Sequence, residues 1–542
     1  MKKNIKIIAI LLSLTFILTA CHIRGEDSNA LKISVFNGGY GIKWVSEEAK
    51  AYEAKTGTSV NIVDYYGEAG KTAMDSELQS KTSKTDIFFT LTHYLNFVRS
   101  GKINIGQQSY DCLLSDLSDV YESASDNNVK IKDKMLDSYQ EYFNYNGKYY
   151  AMPWSIGAQG LLYHKDVFSE FNFKVPNTTE ELLKLADDIK TANVTNKKWA
   201  VSEKEQKTIY PFCFSLNDEY WSYLFPVWFA QYEGSEKWAD YWNCIGSDGE
   251  QYSETFTTAY PGILETLKVY EKLLDYSKKY NNPASYAANN SFTQSQFIFL
   301  EKESAMMVNG DWINMEMSGN YSEDEWDVAY MKVPVISSII KQCTSVSDDA
   351  ELSAVIAAID SGSSALSGTG YDVTQEDFDK IYDARNMVPA NGHLQDALVP
   401  SYSSKIDKAK DFLKFLYSDE GIRIYTNNTS GNGLPVKFDY LNDSGVKNSV
   451  GSFVRSEYEY ISGKSFTFDY NQKNSVFSVG SLDFVTGENG DYIRKLAAQS
   501  ATDYPRFKLG DTSYSGADAV YYSSVKYLRD NWTSKYLASV GK

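Results

Sequence analysis

The first sixty residues after an apolar leader constrain the fold more than any other stretch of the chain. Leu31, Ile33 and Val35 alternate with Lys32 and Ser34, the period-two pattern of a strand. A glycine-rich loop, Asn37-Gly38-Gly39-Tyr40-Gly41, comes next, and Trp44, Val45, Ala49 and Tyr52 then recur at helical spacing until Gly57 ends the run. Val60 to Tyr65 is a second strand and Asp86 to Phe89 a third, apolar enough for the middle of a parallel sheet. Strands joined by helices of this length run parallel through right-handed crossovers. An α/β chain that opens with a doubly wound lobe is therefore predicted, and such sheets bind ligands beyond the carboxyl ends of their strands.

A second carboxyl edge is predicted at Phe297–Met317. Ala305-Met306-Met307-Val308 is a short apolar run closed by Asn309-Gly310, a strand running into a turn. Asp311 and an exposed Trp312 follow, with Ile313 and Met317 on one helical face. The indole either meets a ligand at the sheet edge or packs the first helical turn on the core; the pattern allows both. Tyr210–Gly234 is the densest aromatic stretch, and Asn217-Asp218-Glu219-Tyr220-Trp221 is expected on a loop after a strand from Phe212 to Leu216. Trp221, Trp228 and Phe229 suit a core equally well. Gly67-Glu68-Ala69-Gly70-Lys71-Thr72 approaches a phosphate-binding loop, but Tyr65 stands where the motif needs glycine. A glycine-rich turn before a helix is the better account, with Glu68 facing the same cleft as Tyr40.

At the amino end, Lys2, Lys3 and Lys6 precede an apolar run from Ile7 to Ala20, the pattern of an export signal and too short to span a bilayer comfortably. It closes Leu18-Thr19-Ala20-Cys21, which resembles the cleavage box of bacterial lipoproteins and implies a lipid on Cys21. Loss of the three leader lysines takes the formal charge from −18 to −21, a surface that repels nucleic acid and anionic lipid. Aromatic residues make up 15% of the chain, led by 42 tyrosines, which suits a neutral polyhydroxyl ligand gripped by ring faces. Cys112, Cys213, Cys244 and Cys343 lie far apart without CxxC spacing, so zinc is disfavoured and unpaired buried thiols are expected.

Four motifs in order carry a family resemblance. Tyr52-Glu53-Ala54-Lys55-Thr56-Gly57; Asn146-Gly147-Lys148-Tyr149-Tyr150-Ala151-Met152-Pro153-Trp154 continuing to Leu162-Tyr163-His164-Lys165-Asp166; Pro176 with Thr178-Thr179-Glu180-Glu181-Leu182-Leu183; and the Ala305–Trp312 stretch are together similar to the bacterial extracellular solute-binding proteins of sugar ABC transporters, the maltose-binding-protein-like group. His164 stands where asparagine is usual. From the residues themselves, Thr178 and Glu181 form a capping box, and Leu182, Leu185 and Ile189 a buried stripe. The resemblance runs from about residue 31 to about residue 436 and implies a two-lobe, periplasmic-binding-protein-like (type II) fold.

The expected organisation is a signal at 1–20, a tether at 21–30, lobe 1 at 31–150, lobe 2 at 151–330, a return to lobe 1 at 331–430 that includes a helical insertion at 337–388, and a helical carboxyl-terminal region at 431–542 packed mainly on lobe 2. Within the insertion, helices are expected at Asp349 to Asp360 and Thr374 to Asn386. The cleft would be lined by Tyr40, Glu68, Thr92 and His93 from one side and by Trp154, Asp218, Tyr220, Trp221, Asp311 and Trp312 from the other. By resemblance, Asp218 and Tyr220 supply a carboxylate and an aromatic, and Trp312 stacks on sugar; Thr92-His93-Tyr94 lacks the charged pair that the group carries there. No cofactor or metal is implied, and the expected partners are an oligosaccharide and a membrane permease, with the protein a monomer. Two other classes stay open: a lipoprotein glycoside hydrolase, which needs two carboxylates flanking the bond, and a sensor subunit that passes sugar occupancy to a membrane kinase.

Overall fold

The computed structural model describes residues 29–542 apart from 81–82, 100, 106, 201, 216–219, 288, 322–325, 364–367, 391–394, 469–476 and 478–515. The leader, Cys21, most of the tether and Asp218 therefore lie outside the described residues. Lobe 1 begins with β1 (Leu31–Asn37), α1 (Lys43–Thr56), β2 (Val60–Tyr66), α2 (Gly67–Gln79) and β3 (Ile87–Thr90). Helix α1 buries Trp44, Val45, Ala49 and Tyr52, as their spacing predicts, and Gly57 closes it in the left-handed conformation. Helix α2 is entered through Gly67, whose φ of 65° makes the turn out of β2, and the stretch after it is helical.

The chain leaves lobe 1 through β4 (Met152–Pro153) and enters lobe 2 with β5 (Gln159–His164), α3 (Thr179–Ala192), β6 (Tyr210–Cys213), α4 (Phe225–Glu233), α5 (Gly262–Leu273), β7 (Ser304–Gly310) and β8 (Val328–Met331). After α6 (Asp349–Asp360), α7 (Gln375–Arg385) and β9 (Met387–Pro389), it returns through β10 (Asp396–Leu398), α8 (Ile406–Leu416) and α9 (Asp419–Asn427). It then adds α10 (Ser452–Ile461), β11 (Ser465–Thr467) and α11 (Gly516–Asn531).

Two sheets organise these elements, one ordered β2-β1-β3-β10-β4 and the other β6-β7-β5-β8. In the first, β1 runs parallel to β2 and β3, whereas β10 is antiparallel to β3 and β4. In the second, β6 and β7 are parallel and β5 is antiparallel to β7 and β8. Connectivity explains the two reversed strands. Each enters its sheet from the crossing side, so Gln159 at the start of β5 lies opposite Gly310 at the end of β7, and Asp396 at the start of β10 lies opposite Thr90 and Pro153. The carboxyl ends of β1, β2 and β3 in one sheet and of β6, β7 and β8 in the other consequently share the side from which the crossing segments arrive.

The capping box is present in modified form. The Thr178 hydroxyl accepts the Glu181 N–H at 3.1 Å, while the Glu181 carboxylate accepts the N–H of Asn177, one residue ahead of the cap, at 2.6 Å. Leu182, Leu185 and Ile189 are buried along that helix. The helical insertion differs from the expectation that places it with the lobe 1 return: it packs on lobe 2. Thr178 donates to Asp349 at 2.7 Å, Ser353 to Glu181 at 2.6 Å, and Gln231 to the Ala384 carbonyl at 3.0 Å, so α6 and α7 are fastened to α3 and α4. Their apolar faces need a partner, and the helices of lobe 2 adjoin the point where the chain leaves β8. Helix α10 lies on β8, with Tyr330 stacked on Phe453 at 5.4 Å and on Tyr460 at 4.9 Å. Strand β11 pairs in parallel with β9, and α11 packs on α5. Cys112, Cys213, Cys244 and Cys343 form no disulfide with one another.

Candidate functional site

Among the described residues, three segments connect the lobes. The first runs from Pro153 to Gln159, the second is described at Ala390, Gln395 and Asp396, and the third runs through Gly431 to Val436. The Trp154 N–H donates to the Gln395 carbonyl at 3.1 Å and the Ile156 N–H to the Gly433 carbonyl at 3.2 Å, while Ala158 bridges Ala390.

The β1–α1 loop of lobe 1 lies directly on the turn after β7 of lobe 2. Gly39 (φ 52°) and Gly41 (φ 65°) need a conformation that side chains resist, and a Cβ on Gly39 would sit 3.4 Å from the Trp312 Cβ. This loop carries Tyr40, whose hydroxyl donates to Asp311 Oδ1 at 2.6 Å across the two lobes. Gly157 in the first crossing segment donates its N–H to Asp311 Oδ2 at 3.1 Å, and Gln395 in the second donates to the Tyr40 oxygen at 3.0 Å. Asp311 is fully buried, and burial raises its pKa against the opposing pull of the Tyr40 hydroxyl and of the Gly157, Ala158 and Trp312 backbone. Burial likewise pushes Glu316 up to about 7, with the Gln296 amide, 2.6 Å away, working against it and Asp311 adding to it.

Trp312 is 8% exposed, which corrects the expectation of an exposed indole. Strand β7 continues through Asn309 and Gly310 instead of turning there, and the indole folds back over Gly310, where any Cβ would overlap the ring. Its open edge meets two tyrosines of lobe 2: Tyr223 lies perpendicular to it at 5.8 Å and Tyr220 at 6.3 Å. Those two stack on each other at 4.9 Å, as residues three apart on a 3-10 turn must, because that helix eclipses i and i+3. Tyr220 and Tyr223 are half-buried.

The junction thus unites Tyr40, Asp311, Trp312 and Tyr220 and disperses the other expected residues. Trp154 is fully buried in lobe 1, stacked on Trp44 at 5.5 Å with its Nε1 3.5 Å from the Thr90 carbonyl. Pro153 pairs with Asp396, and that register turns the next side chain into lobe 1 and away from the cleft. Trp221 is core, edge-on to Phe212 at 5.0 Å and to Tyr270 at 6.4 Å. His93 is buried at the carboxyl end of β3; its Nδ1 accepts the Leu95 N–H at 3.1 Å, which leaves Nε2 to contact the Tyr142 hydroxyl at 2.8 Å. Thr92 donates to Asp75 at 2.7 Å. Glu68 is exposed in the first turn of α2, beyond the carboxyl end of the edge strand β2. Tyr223, Gln395 and Glu316 were not expected. The Tyr220-x-x-Tyr223 spacing is a visible signal for the first, while the other two reach the junction only through tertiary structure.

Two lobes on separate sheets, joined by three adjacent segments and touching through a polar, aromatic-flanked junction, define a solute-binding protein of the two-lobe class. Residues 47–451 match the bacterial extracellular solute-binding proteins, and the chain belongs to that family. Solved structures agree on the fold. A protein of Caldanaerobius polysaccharolyticus, described in a study of xylan utilization, has a TM-score of 0.58 at 15% identity, over 92% of this chain and all of the other. The GacH receptor of Streptomyces glaucescens, solved unliganded and with acarbose, has 0.56 at 14% identity over 93% and 99% of the two chains. A chitin oligosaccharide binding protein has 0.54 at 16% identity over 91% and 95%. No curated protein matches the sequence significantly. Among the described residues, no helix is long and apolar enough to cross a membrane.

Proposed function

We propose that this protein is the carbohydrate receptor of an ABC transporter, held at the outer face of the membrane by a lipid on Cys21, and that it captures a neutral oligosaccharide between its lobes for delivery to a permease. The observation that carries the proposal is the Tyr40–Asp311 hydrogen bond, a direct link between the lobes set beside the Trp312, Tyr220 and Tyr223 rings. A sugar that parts the lobes would offer a hydroxyl to Asp311 in place of the Tyr40 phenol and its ring faces to the aromatics. Ring contacts of this kind contribute on the order of 0.5–1.5 kcal/mol each beyond area burial if sugar faces resemble aromatic ones. Ligand that touches both lobes stabilises the closed form, and closure in such proteins turns on hinge segments. Glu68, exposed beyond β2, is a candidate acceptor at the rim, and Asp218 remains a candidate by resemblance alone. Neighbours of the same fold include RafE in complex with raffinose and AcbH, described with a preference for β-D-galactopyranose, which supports a sugar as the ligand class.

Calorimetric titration of purified protein against raffinose, galactose, xylotriose and chitotriose tests the proposal, with the sugar analysed afterwards. Tight binding with the sugar recovered intact is the expected result. Release of shorter sugars would show a hydrolase instead, and no heat from any of the four would sink the carbohydrate assignment.

A further inference from the structure

The loop between β1 and α1 covers the turn after β7 so closely that the two lobes share one buried carboxyl group. A Cβ added to Gly39 would lie 3.4 Å from the Trp312 Cβ, and one on Gly41 3.6 Å from the Met315 Cε, so bare backbone of lobe 1 rests on this part of lobe 2. Asp311 beneath it is 0% exposed. One of its oxygens takes the Tyr40 hydroxyl of lobe 1 and the other the Gly157 N–H of the first crossing segment. Asn314, three residues on, donates to the Ser430 carbonyl at 3.1 Å, just ahead of the third segment. Parting the lobes therefore takes away both the cover over Asp311 and its Tyr40 donor.

The groups that face Asp311 do not neutralise its charge. Tyr40 approaches from the β1–α1 loop, Tyr139 from the helix Asp137–Phe143, Tyr330 from β8, Tyr425 from α9 and Tyr458 from α10, and each of these phenols feels the carboxylate. Glu316, on the helix Ile313–Met317, feels it as well, while Glu457 acts in turn on Tyr139, Tyr330 and Tyr458. These titratable neighbours are all acids. Among the described residues, no lysine, arginine or histidine forms an ion pair with Asp311. A carboxylate withdrawn from water without a cation is strongly disfavoured. The neutral donors around it, the Tyr40 hydroxyl and the Gly157, Ala158 and Trp312 backbone, leave burial the larger effect.

Closed lobes thus favour Asp311 as the acid, whereas in the parted form water solvates it and it titrates at about pH 4 like any exposed aspartate. We propose that Asp311 is a proton-operated latch between the lobes: the jaws close as the carboxylate takes a proton from water and part as it gives that proton back. The acid keeps a carbonyl oxygen that accepts from Tyr40, so protonation removes the charge without removing the bond across the lobes. A proton held only in the closed form makes the closed-to-open ratio fall as pH rises, by up to about tenfold per pH unit. The latch goes beyond the carbohydrate reading and works whatever ligand the cleft takes.

Small-angle scattering of the unliganded full chain between pH 5 and 8 tests it, on the unaltered protein and on Asp311→Asn, Asp311→Ser and Glu316→Gln. The expected result is a radius of gyration that grows reversibly as pH rises in the unaltered protein. Asp311→Asn cannot ionise and should stay compact throughout; Asp311→Ser, also unable to ionise, answers the same question should the Asn variant fail to fold. Glu316→Gln should still expand with pH. One radius across the whole range for the unaltered protein overturns the latch. So does an Asp311 variant that expands with pH as the unaltered protein does, and so does loss of the expansion in Glu316→Gln, which would assign the proton to Glu316.

Discussion

On the lobe 1 side of the junction, Trp44 and Trp154 stack at 5.5 Å with Tyr40 edge-on to Trp154; on the lobe 2 side, Trp312 takes Tyr220 and Tyr223 edge-on. Both sides mix tryptophan with tyrosine, and each combines one stacked pair with edge-on contacts. What differs is the backing. Trp154 is enclosed by α1, β3 and α9, with Phe89 edge-on at 6.3 Å and Tyr425 edge-on to its neighbour Trp44 at 5.0 Å, and it has no exposed face. The lobe 2 trio leans on a glycine and leaves two tyrosines half-buried beside the opposing lobe. An aromatic near the lobe junction is thus scaffold when strand register turns it inward, and stays beside the opposing lobe, where the proposed ligand would meet it, when a glycine lets it lie along the sheet edge.

The contrast is open to direct attack. Trp154→Ala should cost about 3–5 kcal/mol of stability by chemical denaturation, as for other buried tryptophans; a loss below about 1 kcal/mol would break the distinction. The next effect comes from pH. Glu316 and Asp311 have folded pKa values raised above those of the unfolded chain, so between roughly pH 4.5 and 7 the folded protein holds protons that the unfolded chain has released. Stability of the unliganded protein should therefore fall as pH rises through this window, by up to about 1.4 kcal/mol per pH unit for each proton retained. Asp396 and Glu48 of lobe 1, also raised by burial, act with the same sign, so Glu316→Gln should flatten the curve only in part. A flat profile for the unaltered protein from pH 5 to 7 would contradict this account.

Trp312→Ala should weaken sugar binding at least about tenfold, roughly 1.4 kcal/mol, while its melting temperature drops far less than that of Trp154→Ala. Equal losses of stability in the two variants, with affinity intact, would return Trp312 to the scaffold. The smallest effect belongs to Tyr40→Phe, which leaves one oxygen of buried Asp311 short of a donor and should cost on the order of 1 kcal/mol. Small-angle scattering should then show a larger radius of gyration without sugar; an unchanged radius would mean that other contacts hold the lobes together.

Much of the architecture was legible because it depends on local periodicity. The alternation at Leu31–Val35, the Trp44–Tyr52 stripe, the Thr178 cap and the paired helices at 349–360 and 375–385 all follow from nearest-neighbour patterns, and the structure contains each of them. The lobe junction was legible in part. Tyr40, Asp311, Trp312 and Tyr220 flank loops at strand ends, which a sequence displays. Trp154 misled because its direction depends on the register with β10, more than two hundred residues away in the chain. Gln395 gave no signal, since its bond to Tyr40 arises only when distant segments are laid together. The insertion was assigned to the wrong lobe for a similar reason: helical faces announce that they need a partner but do not say which one.

At their described residues the hinge segments are tied laterally by the Trp154–Gln395 and Ile156–Gly433 bonds and the Ala158–Ala390 bridge, as in a narrow ribbon. A ribbon flexes readily across its face and resists sliding within its plane, because sliding breaks lateral bonds whereas flexing spreads a small torsion over many residues. The jaws of this molecule should thereby follow one arc, with little shear or swivel. A single pair of spectroscopic labels, one on each lobe, should accordingly report the whole travel between apart and shut as one coordinate; a second label pair whose distances fail to track the first would show that the ribbon has more freedom than its lateral bonds allow.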